Sequence, residues 1–425
     1  MLETLRNAWV IKEIRNKIFF TIFIILIFRV GSVIPVPYID VAALKAANEA
    51  GTTNEFFSYL SILTGGGLEY GAIFALSVTP YINSSIIIQL LCVAIPALER
   101  LSKEGEEGQK KLAQITRFAT VVLALIQGTA YFIYLKNSGY LSVKGGATIF
   151  AGFVIVLAFT AGSALVMWLG ERIDEKGIGN GISMLLFAGI LSRAPQAFNA
   201  LLAYWKLDRQ VAVIAIVLIF LAVIMFVVWM THAERRIPVQ YAKRVVGNKM
   251  YGGQNTHIPI KVNMSGVMPI IFASSILMLP TMILSFMSST QSAWYKILSL
   301  FSVQGAFYAI VYFFLIIGFA YFYATIQFNP VEMANNLRKN GGAVPGIRPG
   351  KPTSDFISKI LSRITLMGAI FLSVIAILPI LVGSVGGINI SLGGTSVLIM
   401  VGVALDTVRN LESQMMMRHY KGFLD

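Results

Sequence analysis

The chain has 425 residues, of which 56% are hydrophobic and only 13% are charged, and its mean hydropathy is +0.74. These values exclude an ordinary soluble domain and are typical of a polytopic membrane protein, for which the bilayer is the solvent. The net charge is +14, because 34 lysines and arginines outnumber 20 acidic residues, and most of these charges are expected in loops outside the bilayer. The single cysteine, Cys92, excludes an internal disulfide.

Apolar runs long enough to cross a bilayer recur along the whole chain. One crossing needs about 20 apolar residues, and the N-terminal run has no obvious cleavage site, so it is expected to be retained as the first helix. The predicted fold is therefore all-α with ten transmembrane helices. These lie near 18–36, 73–97, 115–136, 148–170, 182–203, 210–231, 265–287, 306–326, 363–383 and 393–411.

Ten crossings divide into five plus five, which predicts two domains, an N-terminal half over 1–203 and a C-terminal half over 204–425. An odd number of crossings per half gives the second half the opposite orientation, which permits an inverted repeat. Loops on one side of the predicted membrane contain 26 of the 34 lysines and arginines, whereas the other side has seven. The positive-inside rule therefore predicts that both termini are cytoplasmic.

The stretch Gly65–Leu91 begins with a glycine-rich part that breaks the helical pattern at the start of the second predicted crossing. Its first part, GGGLEYGAIFALSV, carries four glycines and one acid, so a helix there would be short, marginal and unable to span a bilayer alone. After Pro80 the pattern becomes helical, with the polar side chains of Asn83, Ser85 and Gln89. Such groups at membrane depth require surrounding protein or a water-filled cavity. A re-entrant piece beside a pore or site is predicted.

Two predicted cytoplasmic loops, 231–263 and 327–362, are each over thirty residues long, and long loops tend to carry function. The first has alternating apolar residues that suit a β-hairpin with a basic tip. The second is predicted to begin as a short polar helix, to break at Gly341–Gly342, and to present Arg348 outward on a Gly/Pro-rich turn.

Nucleotide, metal and catalytic sites are not predicted. A phosphate-binding loop would need a glycine where Pro345 stands and Ser or Thr where Pro352 stands, and Ile182 occupies the last glycine position of a dinucleotide fingerprint. The three histidines show no metal-ligand spacing. Arg29 in the first apolar segment is interpreted as snorkelling or paired with a neighbouring helix. We therefore expect no enzyme activity, no cofactor and no metal.

Several long motifs in order resemble the SecY family, whose members form the channel of the bacterial protein translocase. They include FRVGSVIPVP, IFALSVTPYINSSIIIQLL, GERIDEKGIGNGIS, ERRIPVQYAKRVVG, VNMSGVMPIIFASSILMLP and VPGIRPGKPT. The resemblance covers nearly the whole chain. It implies a clamshell of two pseudo-symmetric inverted halves, with a re-entrant plug helix at about 65–72 and a lateral opening between the second and seventh segments.

The resemblance also implies site residues, position by position. The hydrophobic pore ring falls on Ile82, Ile86, Ile182, Leu186, Ile271 and Ile399. The plug contains Gly65, Gly66, Gly67, Leu68, Glu69, Tyr70 and Gly71. The lateral gate includes Asn83, Gln89, Ser274 and Ser275. The docking residues for a motor or ribosome are Arg235, Arg236, Lys243, Arg244, Lys249, Arg348 and Lys351.

The function implied by the resemblance is a passive protein-conducting channel in the bacterial plasma membrane. It would translocate unfolded secretory chains and release apolar segments into lipid. The partners implied are SecE and SecG, the SecA ATPase motor, the ribosome, signal peptides with their preproteins, and membrane lipids. The alternative is a secondary transporter of a small solute or ion, which shares inverted repeats and broken helices. A transporter would need ionisable ligands at the midplane, and apart from Arg29 the predicted segments have almost none.

Overall fold

A computed structural model describes most of the chain. The described residues are 9–49, 61, 64–143, 145–206, 210–241, 244–246, 249–251, 255–263, 266–286, 298–301, 305–386 and 394–421.

Helices dominate the described residues. In chain order they are α1 Lys12–Gly31, α2 Val41–Glu49, α3 Thr79–Ala94, α4 Pro96–Lys103, α5 Glu106–Asn137, α6 Ala147–Lys176, α7 Gly181–Leu191, α8 Ala194–Lys206, α9 Gln210–His232, α10 Met268–Phe286, α11 Ala306–Gln327, α12 Pro330–Lys339, α13 Lys351–Gly386 and α14 Gly394–Lys421. The strands are β1 Glu234–Tyr241, β2 Arg244–Val246, β3 Lys249–Tyr251, β4 Asn255–Lys261 and β5 Gly342–Ala343.

A helix lies at each of the ten predicted crossings, but not every one has the length and apolar character of a membrane span. In the described part of the chain six spans meet both criteria, or seven if the bent pair of α3 and α4 is one span. The count of ten is therefore not confirmed. The bend of 103° between α3 and α4 occurs where Ile95 is extended before Pro96, a conformation that a following proline favours.

The chain divides into two compact units. The first contains Met1–Gln210, Leu277–Gly305 and Ile388–Asp425, and the second contains Val211–Ile276 and Ala306–Gly387. In the first unit, α5 packs against α3 and α6, while α7 packs against α6 and α14. The pairing of α7 with α14 explains why the C-terminal helix groups with the N-terminal helices.

The second unit contains the two long loops. β1 pairs with β4 in antiparallel register, with Ile237 opposite Ile258, which confirms the predicted hairpin. The short strand β5 adds to the other edge of β1. Alternate side chains of β1, Ile237 and Val239, are buried against residues of α12 and α13 that include Leu337 and Ile357. The hairpin is thus anchored to the second long loop through an apolar core.

The second long loop follows its predicted course. Pro330 begins α12, and the side chain of Asn329 caps the helix by accepting a hydrogen bond from the backbone N–H of Val331 at 3.1 Å. The helix ends before Gly341, which has a positive φ of 70°. A glycine reaches this left-handed conformation without steric cost, so the break occurs where the sequence indicates it.

Candidate functional site

Residues 65–78, which include the predicted plug at about 65–72, are called the plug segment below. They form a series of turns and not the short helix that the resemblance implies. Gly65 and Gly71 have positive φ values of 66° and 53°, and even Ser77 is left-handed at 50°. Residues in this region cannot continue a right-handed helix. The expectation of a re-entrant plug helix is therefore wrong in its secondary structure, although the segment does interrupt the chain before α3.

Backbone hydrogen bonds attach the plug segment to the chain that follows α1. The N–H of Val36 donates to the carbonyl of Gly71 at 2.9 Å, and the N–H of Ile73 donates to the carbonyl of Ile34 at 3.0 Å. These two bonds surround an antiparallel bridge between Pro35 and Ala72. Irregular backbone buried in a protein must find such partners, so the plug segment is specifically seated.

Apolar contacts hold the same segment against α5 and α6. Leu68 is only 3% exposed and belongs to a core cluster with Tyr131 of α5 and Phe159 of α6. The phenol of Tyr131 donates to the carbonyl of Leu68 at 2.9 Å. At Gly162 of α6, a Cβ would overlap the carbonyl oxygen of Ile73. The close approach of α6 to the plug segment therefore depends on a glycine.

A largely buried ion pair is a further contact of the plug segment. Glu69 of the plug segment pairs with Arg193, which lies in the turn between α7 and α8. The arginine side chain is 8% exposed and the glutamate side chain 19%. The hydroxyl of Ser61 donates to the Glu69 carboxylate at 2.7 Å, and Nη2 of Arg193 donates to the Ser61 oxygen at 2.6 Å. Ser61 and Arg193 thus both donate to the Glu69 carboxylate and are also bonded to each other.

A second arginine contacts the beginning of the plug segment. Nη1 of Arg29, near the end of α1, donates to the carbonyl of Gly65 at 3.4 Å. The hydroxyl of Ser192 lies at the same distance from that oxygen. From the sequence, Arg29 is interpreted as snorkelling or paired with a neighbouring helix, and no role is predicted for Arg193. The signal that could have found them is their position in or beside apolar helices, where an ionisable group indicates function.

The predicted pore-ring residues of the first unit lie on three helices. Ile82 and Ile86 are one turn apart on α3, Leu186 lies on α7, and Ile399 lies on α14. Ile86, Leu186 and Ile399 are buried, and Ile82 is half-buried. Because α7 packs against α14, two of these helices are brought together. Their role as a ring stays a prediction.

The other two ring residues are placed differently. The Cδ1 of Ile182 at the start of α7 lies over Gly170, 2.6 Å from where a Cβ on that glycine would be. This contact gives Ile182 a packing role between α6 and α7. Ile271 lies near the start of α10 in the second unit and is half-buried.

The predicted lateral-gate residues are divided equally between the units. On α3, the side-chain oxygen of Asn83 is buried with no hydrogen-bond partner among the described residues, and the amide of Gln89 contacts Ser85 at 3.4 Å. On α10, the hydroxyl of Ser274 donates to the carbonyl of Ile271 at 2.9 Å. Ser275 is half-buried. The unpaired Asn83 oxygen has the polar capacity that a water-lined wall would use.

The predicted docking residues lie in the second unit. Arg235 and Arg236 are exposed on β1, and Arg236 pairs with Glu234 at 2.7 Å. Arg244 lies on β2 and Lys249 on β3. Lys243 lies outside the described residues.

Arg348 is exposed on a turn whose glycines, Gly346 and Gly350, have positive φ values of 78° and 103°. The turn is hydrogen-bonded to α13, because the hydroxyl of Thr353 donates to the carbonyl of Arg348 at 2.8 Å. Lys351, the first residue of α13, is exposed beside it. No ion pair to the Arg348 side chain occurs within the described ranges. A turn held by this hydrogen bond therefore presents the guanidinium to solvent.

The described part of the chain contains no group of three or more His, Cys, Asp or Glu side chains that could hold a metal ion.

Comparisons with known proteins show which family this chain is similar to in sequence and in fold. The sequence model of the SecY family matches residues 72–408. The protein translocase subunit SecY of Mycobacterium bovis is 44% identical over 432 residues, covering 97% of both chains. A solved structure of a SecY protein, whose plug domain is described as stabilising the closed translocation channel, matches with a TM-score of 0.66 at 17% identity and covers 94% of this chain and 92% of that one.

The Sec61 channel from a canine ribosome–channel complex matches with a TM-score of 0.59 at 15% identity and covers the same shares, 94% and 92%. These two structural matches support the shared fold, and the bacterial relative covers nearly the full sequence. This multi-pass membrane protein belongs to the SecY family.

Proposed function

We propose that this chain is a protein-conducting channel that passes unfolded secretory polypeptides across the bacterial plasma membrane. The observation that carries the proposal is the plug segment, an irregular stretch seated inside the first helical unit by backbone, apolar and ionic contacts. A seat made of separate, local contacts suits an element that leaves and returns as a unit. The family membership and the bacterial relative support the same assignment.

The pore ring is proposed to act as an apolar gasket around the moving chain. The ring positions on α3, α7, α10 and α14 are all aliphatic. An aliphatic constriction gives a sliding polypeptide no strong binding site, and it loses water when empty, which limits ion leak. We propose that the chain consists of two inverted halves, 1–203 and 204–425, and that apolar segments leave laterally past Asn83, Gln89, Ser274 and Ser275.

The driving force is proposed to come from partners. A motor of the SecA type or a ribosome would dock on the basic cytoplasmic loops, and small subunits of the SecE and SecG type would complete the complex. The relative in the ribosome–channel complex supports docking of a ribosome. The exposed arginines on β1 and on the Arg348 turn support the cytoplasmic position of these loops and, with the basic-residue asymmetry, cytoplasmic termini. The chain itself is proposed to have no enzyme activity.

The alternative, secondary transport of a small solute, would use buried ionisable groups as ligands. The ionisable groups around the plug segment are the half-buried Arg29 and Glu69 and the buried Arg193. Arg29 contacts the carbonyl of Gly65 in that segment, and Glu69 and Arg193 pair with each other. Their pairing favours a structural role over solute binding.

The ring assignment is tested by wetting the constriction. We expect that replacing Ile82, Ile86 and Ile271 together with Asn raises the resting ion conductance of the reconstituted channel complex, because polar side chains hold water in a narrow pore. Electrical recording in planar bilayers measures it. The matched control is Ile87→Asn, next to Ile86 but exposed on α3. An unchanged conductance in the triple variant would contradict the gasket.

A further inference from the structure

We infer that Glu69 and Arg193 form an ionic latch that keeps the plug segment closed, so that the channel opens only when this pair separates. The inference rests on the proposed function, because it assigns the closing contact of the same channel. The two residues lie 124 positions apart, one in the plug segment and the other in the turn after α7. Their pairing therefore joins the segment to the helical frame.

Burial makes this contact different from an exposed ion pair. Arg193 is 6% exposed as a whole residue, and a charge in such surroundings is poorly solvated unless its partner stays close. Removing one partner leaves the other charge buried and uncompensated, which strongly disfavours the closed arrangement. The pair thus favours the closed state for as long as both charges are present and in contact.

The site is also built to release. The Nε of Arg193 is buried and has no hydrogen-bond partner among the described residues, so the guanidinium is not fully satisfied in the closed state. An unpaired buried donor costs free energy, which reduces the net preference for closure. Ser61 bridges both charged groups through its hydroxyl, and it provides a neutral contact that can exchange partners as the carboxylate leaves.

The apolar contacts of the plug segment are made by side chains other than the two that form the latch. Leu68 is packed in the core cluster with Tyr131 and Phe159, and the Tyr131 hydrogen bond goes to the carbonyl of Leu68 and not to a side chain of the latch. Loss of the ion pair therefore leaves a folded plug segment that opens more often. This separates a gating contact from one that merely maintains the fold.

The test uses the full channel complex in planar bilayers and measures open probability without a translocating chain. We expect Glu69→Gln and Arg193→Gln each to raise it by roughly tenfold or more, because breaking a buried pair is costly. The double variant should open no more often than the stronger single variant, because residues that act as one contact show strong coupling. Arg193→Lys, which keeps the charge, should fall between wild type and Arg193→Gln.

Two controls define the outcomes. Glu171→Gln makes the same carboxylate-to-amide change beside Arg117, 2.7 Å away on α5, whose side chain is exposed whereas that of Arg193 is buried, and it should leave open probability unchanged. Deletion of residues 65–70 removes the plug segment's first half and should open the channel. Thermal unfolding in detergent checks that each variant is folded, and if Arg193→Gln fails this check, Glu69→Gln alone decides the test.

Wild-type gating in Glu69→Gln, together with an open deletion variant, would overturn the latch and leave the proposed function standing. Wild-type gating in both would overturn the plug as a seal, and with it both proposals. Effects that multiply in the double variant would show two independent residues and would also overturn the latch.

Discussion

Arg193 in the first unit and Arg348 in the second carry the same side chain in opposite surroundings. Arg193 is buried in a turn between two helices and is paired with Glu69, whereas Arg348 is exposed on a glycine-rich turn. A buried guanidinium must be neutralised within the molecule, so it fixes an internal arrangement. An exposed guanidinium on a rigid turn keeps its five donors available for a partner.

Glycine serves both regions, with different results. In the plug segment, the positive φ values of Gly65 and Gly71 fold the backbone inward against α5 and α6. Around Arg348, Gly346 and Gly350 turn the chain outward above α13. Positive-φ glycines therefore occur in a buried segment of one unit and in an exposed turn of the other. The outcome differs because apolar side chains surround the plug segment, whereas the Arg348 turn is exposed to solvent.

The largest expected effect comes from reversing the exposed charge. We expect Arg348→Glu to lower motor-driven or ribosome-coupled translocation by about a hundredfold. The new carboxylate would face a carboxylate or phosphate of the docked partner, and two like charges opposed in an interface cost several kcal/mol. Arg348→Lys should keep only part of the activity, since a point charge cannot make bidentate contacts. Translocation into reconstituted vesicles and binding of SecA measure the two effects.

The matched control for this series is Arg338→Glu, which reverses an exposed charge in the same loop on α12. If Arg348 only supplies positive-inside charge, both reversals will act alike and Arg348→Ala will be nearly fully active. Wild-type translocation by Arg348→Lys and Arg348→Ala would contradict docking through this residue.

Substitutions in the buried plug segment should lower the stability of the protein, whereas substitutions on the exposed Arg348 turn should weaken partner binding. We expect Leu68→Ala to lower the free energy of unfolding by about 2–5 kcal/mol, because it leaves a cavity in the core cluster. Leu165→Ala, on an exposed position of α6 in the same unit, is the control and should change little. Unfolding in detergent monitored by circular dichroism measures both. Equal, small losses would mean that the plug segment is not part of the core.

The smallest expected effect concerns the close approach of α6 to the plug segment. A methyl group on Gly162 would overlap the carbonyl oxygen of Ile73, so Gly162→Ala should cost about 1–3 kcal/mol as the backbone shifts. We also expect more frequent channel opening. Gly318→Ala on α11, where a Cβ meets nothing within 4 Å, provides the control. Full stability and normal gating of Gly162→Ala would show that α6 can move away without consequence.

Sequence periodicity correctly predicted the helices, the β1–β4 hairpin and the short polar helix α12, because each depends on local pattern and capping. The resemblance implied a helix for the plug, whereas the structure has turns there. The glycine content indicated weakness there, but not which residues adopt positive φ. Gly71 is hydrogen-bonded to Val36, and Gly65 to Arg29 and Ser192, and these partners are distant in sequence.

The amino-acid sequence alone determined that this is a multi-pass membrane protein of the SecY family, because hydropathy and long ordered motifs need no knowledge of contacts. It also placed Arg348 on an exposed turn, since glycine and proline act locally. Only the tertiary structure decided that Glu69 and Arg193 meet and that Arg29 contacts Gly65. Such pairs are set by helix packing across many residues, and no spacing rule within one segment can predict which buried charges become neighbours.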